Sequence, residues 1–121
     1  MANTFKVVTF AAEPASAGTA YKMYTVAGST TTVVLGLVLT NIHSSAVTAE
    51  VELVSDTGSR GGANNVTNTT SFLVKDVNIP AGSSLEVLTS GKVVMESTDY
   101  LNIDCSVADK LSGTLSIMEI T

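Results

Sequence analysis

The sequence predicts an all-β fold, an antiparallel two-sheet β-sandwich or jelly roll of about eight strands. Short stretches rich in Val, Thr, Ile and Leu recur at close spacing along the 121 residues. Turns rich in Gly, Ser and Pro separate these stretches, and none of them reads as helical. Eight or nine such strands are typical of a sandwich or jelly roll rather than of a parallel sheet. The length fits a single domain that covers residues 1–121.

The longest apolar run, residues 30–41, is predicted to be the central strand. Its four threonines, three valines and one glycine favour a strand over a helix. Side chains alternate between the faces of a strand. The face predicted to pack into the core carries Val33, Leu35, Leu37 and Leu39. The opposite face, predicted to form a subunit or partner interface or to pack on the other sheet, carries Val34, Gly36, Val38 and Thr40.

Residues 1–20 are predicted to form either an edge strand or an N-terminal arm. Residues 4–10 have the composition of a strand, and a loop follows over residues 11–18. Pro14 in that loop cannot donate to a hydrogen-bond ladder. The next predicted strand is 21–26.

Residues 42–46 read as a hairpin loop, because small and polar residues separate two strong strand patterns. The strand after it, Val47–Val54, alternates between apolar and polar side chains. We therefore predict that it is a half-buried antiparallel partner of the central strand. Its predicted inward residues are Val47, Ala49, Val51 and Leu53, and its outward residues are Thr48, Glu50 and Glu52.

Residues 55–70 interrupt the strand pattern and are predicted to form a long loop. Loops of this length in compact domains are usually functional or disordered. Arg60 lies between glycines in this loop. It would either reach a neighbouring subunit and pair with a carboxylate there or remain a solvated side chain.

Five further strands are predicted after the loop. Residues 90–91 are expected to form a tight turn that joins the second and third of them. Leu101, Ile103, Cys105 and Val107 share one face of the fourth strand, as Leu111, Leu115 and Ile117 do in the last. The predicted strands cover residues 71–79, 85–89, 92–96, 100–107 and 111–120.

Composition and charge exclude several classes of partner. The formal charge is −5, only 14% of residues are charged against 45% hydrophobic, and the six basic residues are scattered singly. Binding to nucleic acid is not expected, because it requires a clustered basic surface. No secretory signal and no apolar run of about 18 residues is present, so we expect no membrane contact and synthesis in a cytoplasm. The low charge content indicates that part of the surface is not meant for water.

No catalytic residue is predicted. His43 is the only histidine, and no sequence motif gives it a nucleophile or an orienting group. Cys105 lacks a second cysteine for a disulfide, and its alternation with Ile103 and Val107 predicts a buried, inert thiol. The chain is therefore expected not to be an enzyme.

Carboxylates could bind calcium or act in a glycosidase. Glu50 and Glu52 share a strand face, and Asp99, Asp104 and Asp109 lie near strand ends. Their spacing matches no ligand loop, so we interpret them as solvated charges that oppose aggregation. No metal or cofactor is predicted.

Four segments together resemble small structural proteins of tailed-bacteriophage virions. They are residues 24–37 (YTVAGSTTTVVLGL), 39–41 (LTN), 73–84 (LVKDVNIPAGSS) and 115–121 (LSIMEIT). The resemblance covers nearly the whole chain and rests on structural patterns rather than on catalytic motifs.

The resemblance implies a non-enzymatic β-sandwich that decorates or cements a capsid, or belongs to the neck or tail. The leading hypothesis is a capsid decoration protein that binds and stabilises the assembled shell as a homo-oligomer, made in the host cytoplasm and located in the virion. Its expected partners are copies of itself and other virion proteins, such as the major capsid protein. The alternatives are a neck or tail component and a host-surface carbohydrate-binding module. The scarcity of aromatic residues counts against the carbohydrate-binding module.

Overall fold

The computed structural model describes residues 2–55, 68–88 and 91–121, and within them the chain forms nine strands and no helix. Each strand is dominated by alternating apolar side chains or β-branched residues, which suit a pleated surface. The strands are β1 (Asn3–Glu13), β2 (Tyr21–Thr25), β3 (Thr31–Asn41), β4 (Val47–Val54), β5 (Thr70–Ile79), β6 (Ser84–Glu86), β7 (Val93–Met95), β8 (Tyr100–Cys105) and β9 (Leu111–Ile120).

The strands form two antiparallel sheets. Sheet I has the order β1-β9-β3-β6, with β7 also paired to β3, and sheet II has the order β2-β8-β4-β5. Strands β6 and β7 lie one after the other along the same edge of β3, so they act as one interrupted edge strand. Among the described strands, the only hairpin neighbours within one sheet are β4 and β5. When β6 and β7 are counted as one position, all other consecutive strands alternate between the sheets, which is the connectivity of a jelly roll with eight strand positions.

A single hydrophobic core fills the space between the sheets and confirms the predicted sandwich. Fourteen of the described core residues lie on β3, β4, β5, β7, β8 and β9, and the strand-by-strand alternation predicted for β4, β8 and β9 places their buried residues correctly. Each fully buried aliphatic side chain contributes about 1.5–3 kcal/mol. The side chains with the least exposure are Val34, Leu37, Leu39, Ala49, Val51, Ile79, Met95, Leu101, Ile103, Leu111, Leu115 and Ile117.

The predicted pairing of β3 with β4 is wrong. The two strands lie in different sheets, where β3 pairs with β9, β6 and β7, and β4 pairs with β5 and β8. Residues 42–46 therefore cross from one sheet to the other. Both strands show one buried face, and this pattern is the same whether two strands share a sheet or face each other across a core. The strands near residues 85 and 93 both pair with β3, and Ser90 of the tight turn predicted between them lies outside the described residues.

A β-bulge in β3 reverses the predicted faces of its first half. The register with β9 shifts between Val34 and Gly36, so Leu35 is an extra residue in the ladder. After the bulge, Leu37 and Leu39 point inward as predicted. Before the bulge, Val34 points inward at 1% exposure, whereas Val33 is only half-buried.

Strand β1 is longer than predicted and forms an edge of sheet I. It pairs with β9 in continuous register from Asn3 to Phe10, and the register shifts before Glu13. Its Phe10 ring lies over Gly113 of β9, where an added Cβ would overlap the ring. Phe10 also meets the Tyr21 ring edge-on, at 5.3 Å between centroids. The N-terminal segment is therefore an integral part of the sandwich.

Candidate interaction surface

The outer face of sheet I carries a row of four apolar side chains, one from each strand position. Cross-strand pairing aligns Phe5 with Met118, Met118 with Val33, and Val33 with Val94. Phe5 is 72% exposed and Val94 is 58% exposed, while Met118 and Val33 are half-buried. We call these four residues the outer apolar row. It spans the whole width of the sheet, and the described structure places nothing over it.

The outer apolar row is the centre of a larger weakly charged patch. Val7 is 63% exposed beside Phe5, and Ile120 lies beside Met118 on the same face of β9. Towards the other end of the sheet the outward residues become more polar, and one row there holds Thr9, Thr114, Val38 and the exposed Glu86. Four strand positions about 4.8 Å apart and roughly 24 Å of strand length give a face of roughly 450 Å². The outer apolar row occupies one end of this face, and contiguous exposed apolar patches on soluble proteins are often binding sites.

The residues predicted to form an interface divide into three groups. Gly36, Val38 and Thr40 lie on the outer face of sheet I, at the polar end, and their role in an interface stays a prediction. Val34 does not belong with them, because the bulge at Leu35 turns its side chain into the core. Arg60 lies outside the described residues.

Most of the outer apolar row was not predicted from the sequence. Phe5 and Val7 alternate with Lys6, so a two-residue period in the first strand was a signal for an exposed apolar face. Val94 and Met118 give no such signal alone. They join Phe5 only through the pairing of β1, β9, β3 and β7, which a single sequence does not reveal.

The outer face of sheet II has the opposite chemistry. Glu50 lies directly across from Asp104, and Lys75 Nζ contacts Glu50 Oε1 at 2.8 Å. Asp104 Oδ1 accepts hydrogen bonds from the backbone N–H groups of Gly18 at 3.1 Å and Cys105 at 2.8 Å. A cleft of about 210 Å³ here is lined by Gly18, Glu50, Asp104 and Cys105 among others. In the described ranges no three His, Cys, Asp or Glu side chains are placed to hold a metal ion.

The other residues considered for chemistry are dispersed. Asp99 is buried and accepts a hydrogen bond from Ser55 Oγ at 3.0 Å, at the end of β8 opposite to Asp104. Asp109 lies in the turn before β9. Cys105 is buried as predicted, and its burial raises the pKa of the thiol, which disfavours the reactive thiolate. Of the carboxylates named from the sequence, Glu50 and Asp104 lie together on sheet II, and Asp99 and Asp109 lie apart from them.

The Glu119 carboxylate of sheet I is turned towards sheet II at one end of the sandwich. Tyr24 of sheet II donates from its hydroxyl to Glu119 Oε2 at 2.6 Å and lies 2.7 Å from Thr32 Oγ1. Lys6 Nζ contacts the other oxygen of Glu119 at 2.7 Å. Burial and the bond to Glu119 raise the pKa of Tyr24 to about 12, and the bonds from Lys6 and Tyr24 lower the pKa of Glu119. This network links the two sheets and leaves the outer face of sheet I without the charge of Glu119.

At the C-terminal end of β3 the buried, neutral side chain of Asn41 forms hydrogen bonds to the neighbouring connections. Asn41 is fully buried, and its Nδ2 donates to the carbonyl oxygens of Ser45 at 2.9 Å and Ile79 at 3.0 Å. Its Oδ1 accepts a hydrogen bond from the backbone N–H of His43 at 2.7 Å. A single amide thus connects the loop after β3 with the end of β5. Its role is structural.

No family model, curated protein or solved structure matches the chain. Among the described residues no helix is long and apolar enough to span a membrane. The geometry of the two sheets is therefore the basis for a functional conclusion.

Proposed function

We propose that this protein is a non-enzymatic structural protein of a phage virion, and that it decorates and stabilises the assembled shell through the outer face of sheet I. The observation that supports the proposal is the outer apolar row, which crosses four strand positions and stays uncovered in the isolated chain. Burying this row against a shell protein would remove apolar surface from water. A protein that binds only the assembled state stabilises that state by mass action.

The distribution of charge supports the same orientation. Carboxylates lie on the outer face of sheet II, with Glu50 and Asp104 paired across strands. With sheet I against a shell, sheet II would face solvent and would supply the charge that keeps a decorated particle soluble. Repetition over a shell would also let individually modest contacts accumulate into tight attachment.

The tyrosines give no support to a carbohydrate-binding function. Sugar sites usually present exposed aromatic rings, and this chain has three tyrosines. Tyr21 packs against Phe10, Tyr24 bonds to Glu119, and the Lys22 ammonium lies 4.0 Å from the centre of the Tyr100 ring. Tyr21 and Tyr24 are engaged between the sheets, and the half-buried Tyr100 ring on the outer face of sheet II lies under Lys22, so an interaction through an apolar face is favoured.

The decisive experiment is a cryo-EM reconstruction of purified virions of the phage that encodes the chain, with mass spectrometry of the same particles. Density of this protein on the shell, with sheet I facing inward, is the expected result. Density at the neck or tail would replace the decoration function by the alternative virion role. Absence of the protein from the particles would overturn the proposal.

A binding experiment with substitutions tests the face. Val94→Asp should weaken binding to shells by at least about tenfold, because it places a charge in an apolar contact. Phe72→Asp is a matched control, since Phe72 is 47% exposed but belongs to β5 of sheet II. Equal binding of the Val94 variant and wild type would exclude this face.

A further inference from the structure

The four sheet edges differ in how well they are protected from pairing with another chain. At the far edge of sheet I, β6 and β7 have three residues each. In sheet II, β2 has five residues and a register shift, and β5 has two register shifts and a positive φ of 50° at Asp76. Short, bulged and interrupted edges are the usual protections against unwanted strand pairing.

Strand β1 lacks these protections. It pairs with β9 without a register shift from Asn3 to Phe10, and no proline occurs before Pro14. Its single lysine, Lys6, is already paired with Glu119. The two most exposed large hydrophobic residues of the described chain, Phe5 and Val7, lie on this same strand. The free edge of β1 is therefore suited to accept another strand.

The backbone direction along β1 identifies which residues can pair. Ala2 and Thr121 exchange both of their backbone hydrogen bonds, at 3.3 and 3.0 Å, so the N–H and C=O of Ala2 point towards the β9 side. In an antiparallel ladder this direction alternates with each residue. The backbone groups of Asn3, Phe5, Val7 and Thr9 consequently point towards the free edge of sheet I.

We infer that β1 pairs antiparallel with β1 of a second copy, with Val7 on the twofold axis. This register pairs residues 4–10 of each copy and sets Phe5 opposite Thr9 of the other copy. A register centred on Lys6 would set two ammonium groups across from each other, which is unfavourable. A register centred on Phe5 would pair only residues 3–7 of the unshifted stretch. Self-pairing about Val7 is thus the longest register that avoids a repulsive pair.

The pairing would join the two outer faces into one. Phe5 and Val7 of both copies would meet at the junction, and a face of roughly 450 Å² would become a continuous one of roughly 900 Å². Stable interfaces bury about 800 Å² on each partner. A single copy falls short of that area, whereas the dimer reaches it. The inference deepens the proposed function and rests on it only for the identity of the larger partner.

The test is cross-linking of the free protein through a cysteine at the axis. In a hydrogen-bonded antiparallel pair the Cα atoms lie about 5.5 Å apart, within the range of a disulfide. Val7→Cys should therefore form a disulfide-linked dimer under mild oxidation. Phe5→Cys should not, because the two cysteines would lie more than about 12 Å apart along the strands. Cys105 is buried and does not interfere.

A second measurement uses the oligomeric state by light scattering. Wild type should have twice the 12.4 kDa mass of one chain. Val7→Pro should be a folded monomer, because the lost N–H points away from β9 and edge strands tolerate proline. Val7→Thr, which keeps the N–H and the branched shape, should remain a dimer.

A monomeric or trimeric wild type, or cross-linking of Phe5→Cys in place of Val7→Cys, would overturn the inference. If Val7→Pro did not fold, the cysteine variants would still decide the register. These measurements need no virion. A dimer that is absent from particles would refute the proposed function alone, and a monomer found on the shell would refute the pairing alone.

Discussion

The outer faces of the two sheets differ in chemistry, although both belong to antiparallel sheets that pack on the same core. In sheet II the inner face is apolar and the outer face carries Glu50, Glu52 and Asp104, as is usual for an antiparallel sheet with one wet side. In sheet I the outer apolar row lies at one end of the outer face and polar residues at the other, and the carboxylate of Glu119 lies on the inner side, bonded to Lys6 and Tyr24. The difference agrees with the proposal that sheet II faces solvent and the apolar end of sheet I faces a partner.

The largest loss of stability is expected from a substitution on the inner face of sheet I, and the same substitution on its outer face should have a much smaller effect. Val34→Asp places an unpaired carboxylate in the core and should cost more than about 4 kcal/mol of unfolding free energy. Val33→Asp, one residue earlier but on the outer face, should cost about 1 kcal/mol or less. Urea unfolding monitored by circular dichroism measures both. A similar loss for both variants would mean that the outer face of sheet I is covered within the chain itself.

Asn41→Leu should produce the next largest effect. It leaves the carbonyl of Ile79 and the N–H of His43 without their bonds to Asn41, and each unsatisfied buried group costs about 1–3 kcal/mol. Thr40→Val is the control, because Thr40 is bonded to Ser84 on the outer face. The expected result is a clear fall in the thermal midpoint for the Asn41 variant only. If the control fell equally, the outer face would contribute to the fold as the interior does.

The Glu119 network should make stability depend on pH in two windows. The folded pKa of Glu119 is below its ordinary value of 4.5, so its stabilisation is present above pH 4.5 and is lost as pH falls through the folded pKa. The folded pKa of Tyr24 is about 12 against 10.0, so its stabilisation is present below pH 10 and is lost as pH rises towards 12. Thermal unfolding across pH should show both losses.

Two substitutions distinguish the acid loss of stability, assigned to Glu119, from the alkaline loss, assigned to Tyr24. Glu119→Gln should flatten the acid loss, and Tyr24→Phe should remove the part of the alkaline loss that belongs to Tyr24. An acid profile that Glu119→Gln leaves unchanged would show that Glu119 does not link the sheets.

The smallest change in stability is expected from a substitution on the outer face of sheet II. Glu50→Gln removes the contact of Glu50 with the exposed Lys75 ammonium. Solvent and salt screen such pairs, so the urea midpoint should not change measurably. A marked loss of stability would show that the charged outer face holds the fold together and would weaken the contrast between the sheets.

Local patterns predicted the strands well, whereas pairing remained hidden. The bounds of β4 and β9 follow from uninterrupted alternation between clear turns. The faces of Leu37 and Leu39 were also correct, because no irregularity separates them. Val34 was placed on the wrong face because a single extra residue at Leu35 inverts everything before it, and neighbouring sequence does not mark that residue.

The interaction surface was harder to predict because it is a property of four strands together. Val94 and Met118 are unremarkable in the sequence and join Phe5 only through the register of sheet I. The buried Asn41 was equally hidden, since its partners Ser45 and Ile79 come from two different connections. Position within a strand can be predicted locally, but contact between distant strands cannot.

The place of β9 between β1 and β3 also constrains how the protein can be made. β9 follows every other described strand in the chain, yet it is the inner neighbour of both β1 and β3. During synthesis β1 must therefore wait for its partner, and β3 can pair only with β6 and β7, until β9 leaves the ribosome. Completion of sheet I is then a late event that depends on slow, long-range strand pairing. Such a subunit would become competent for assembly only once its synthesis has passed residue 120.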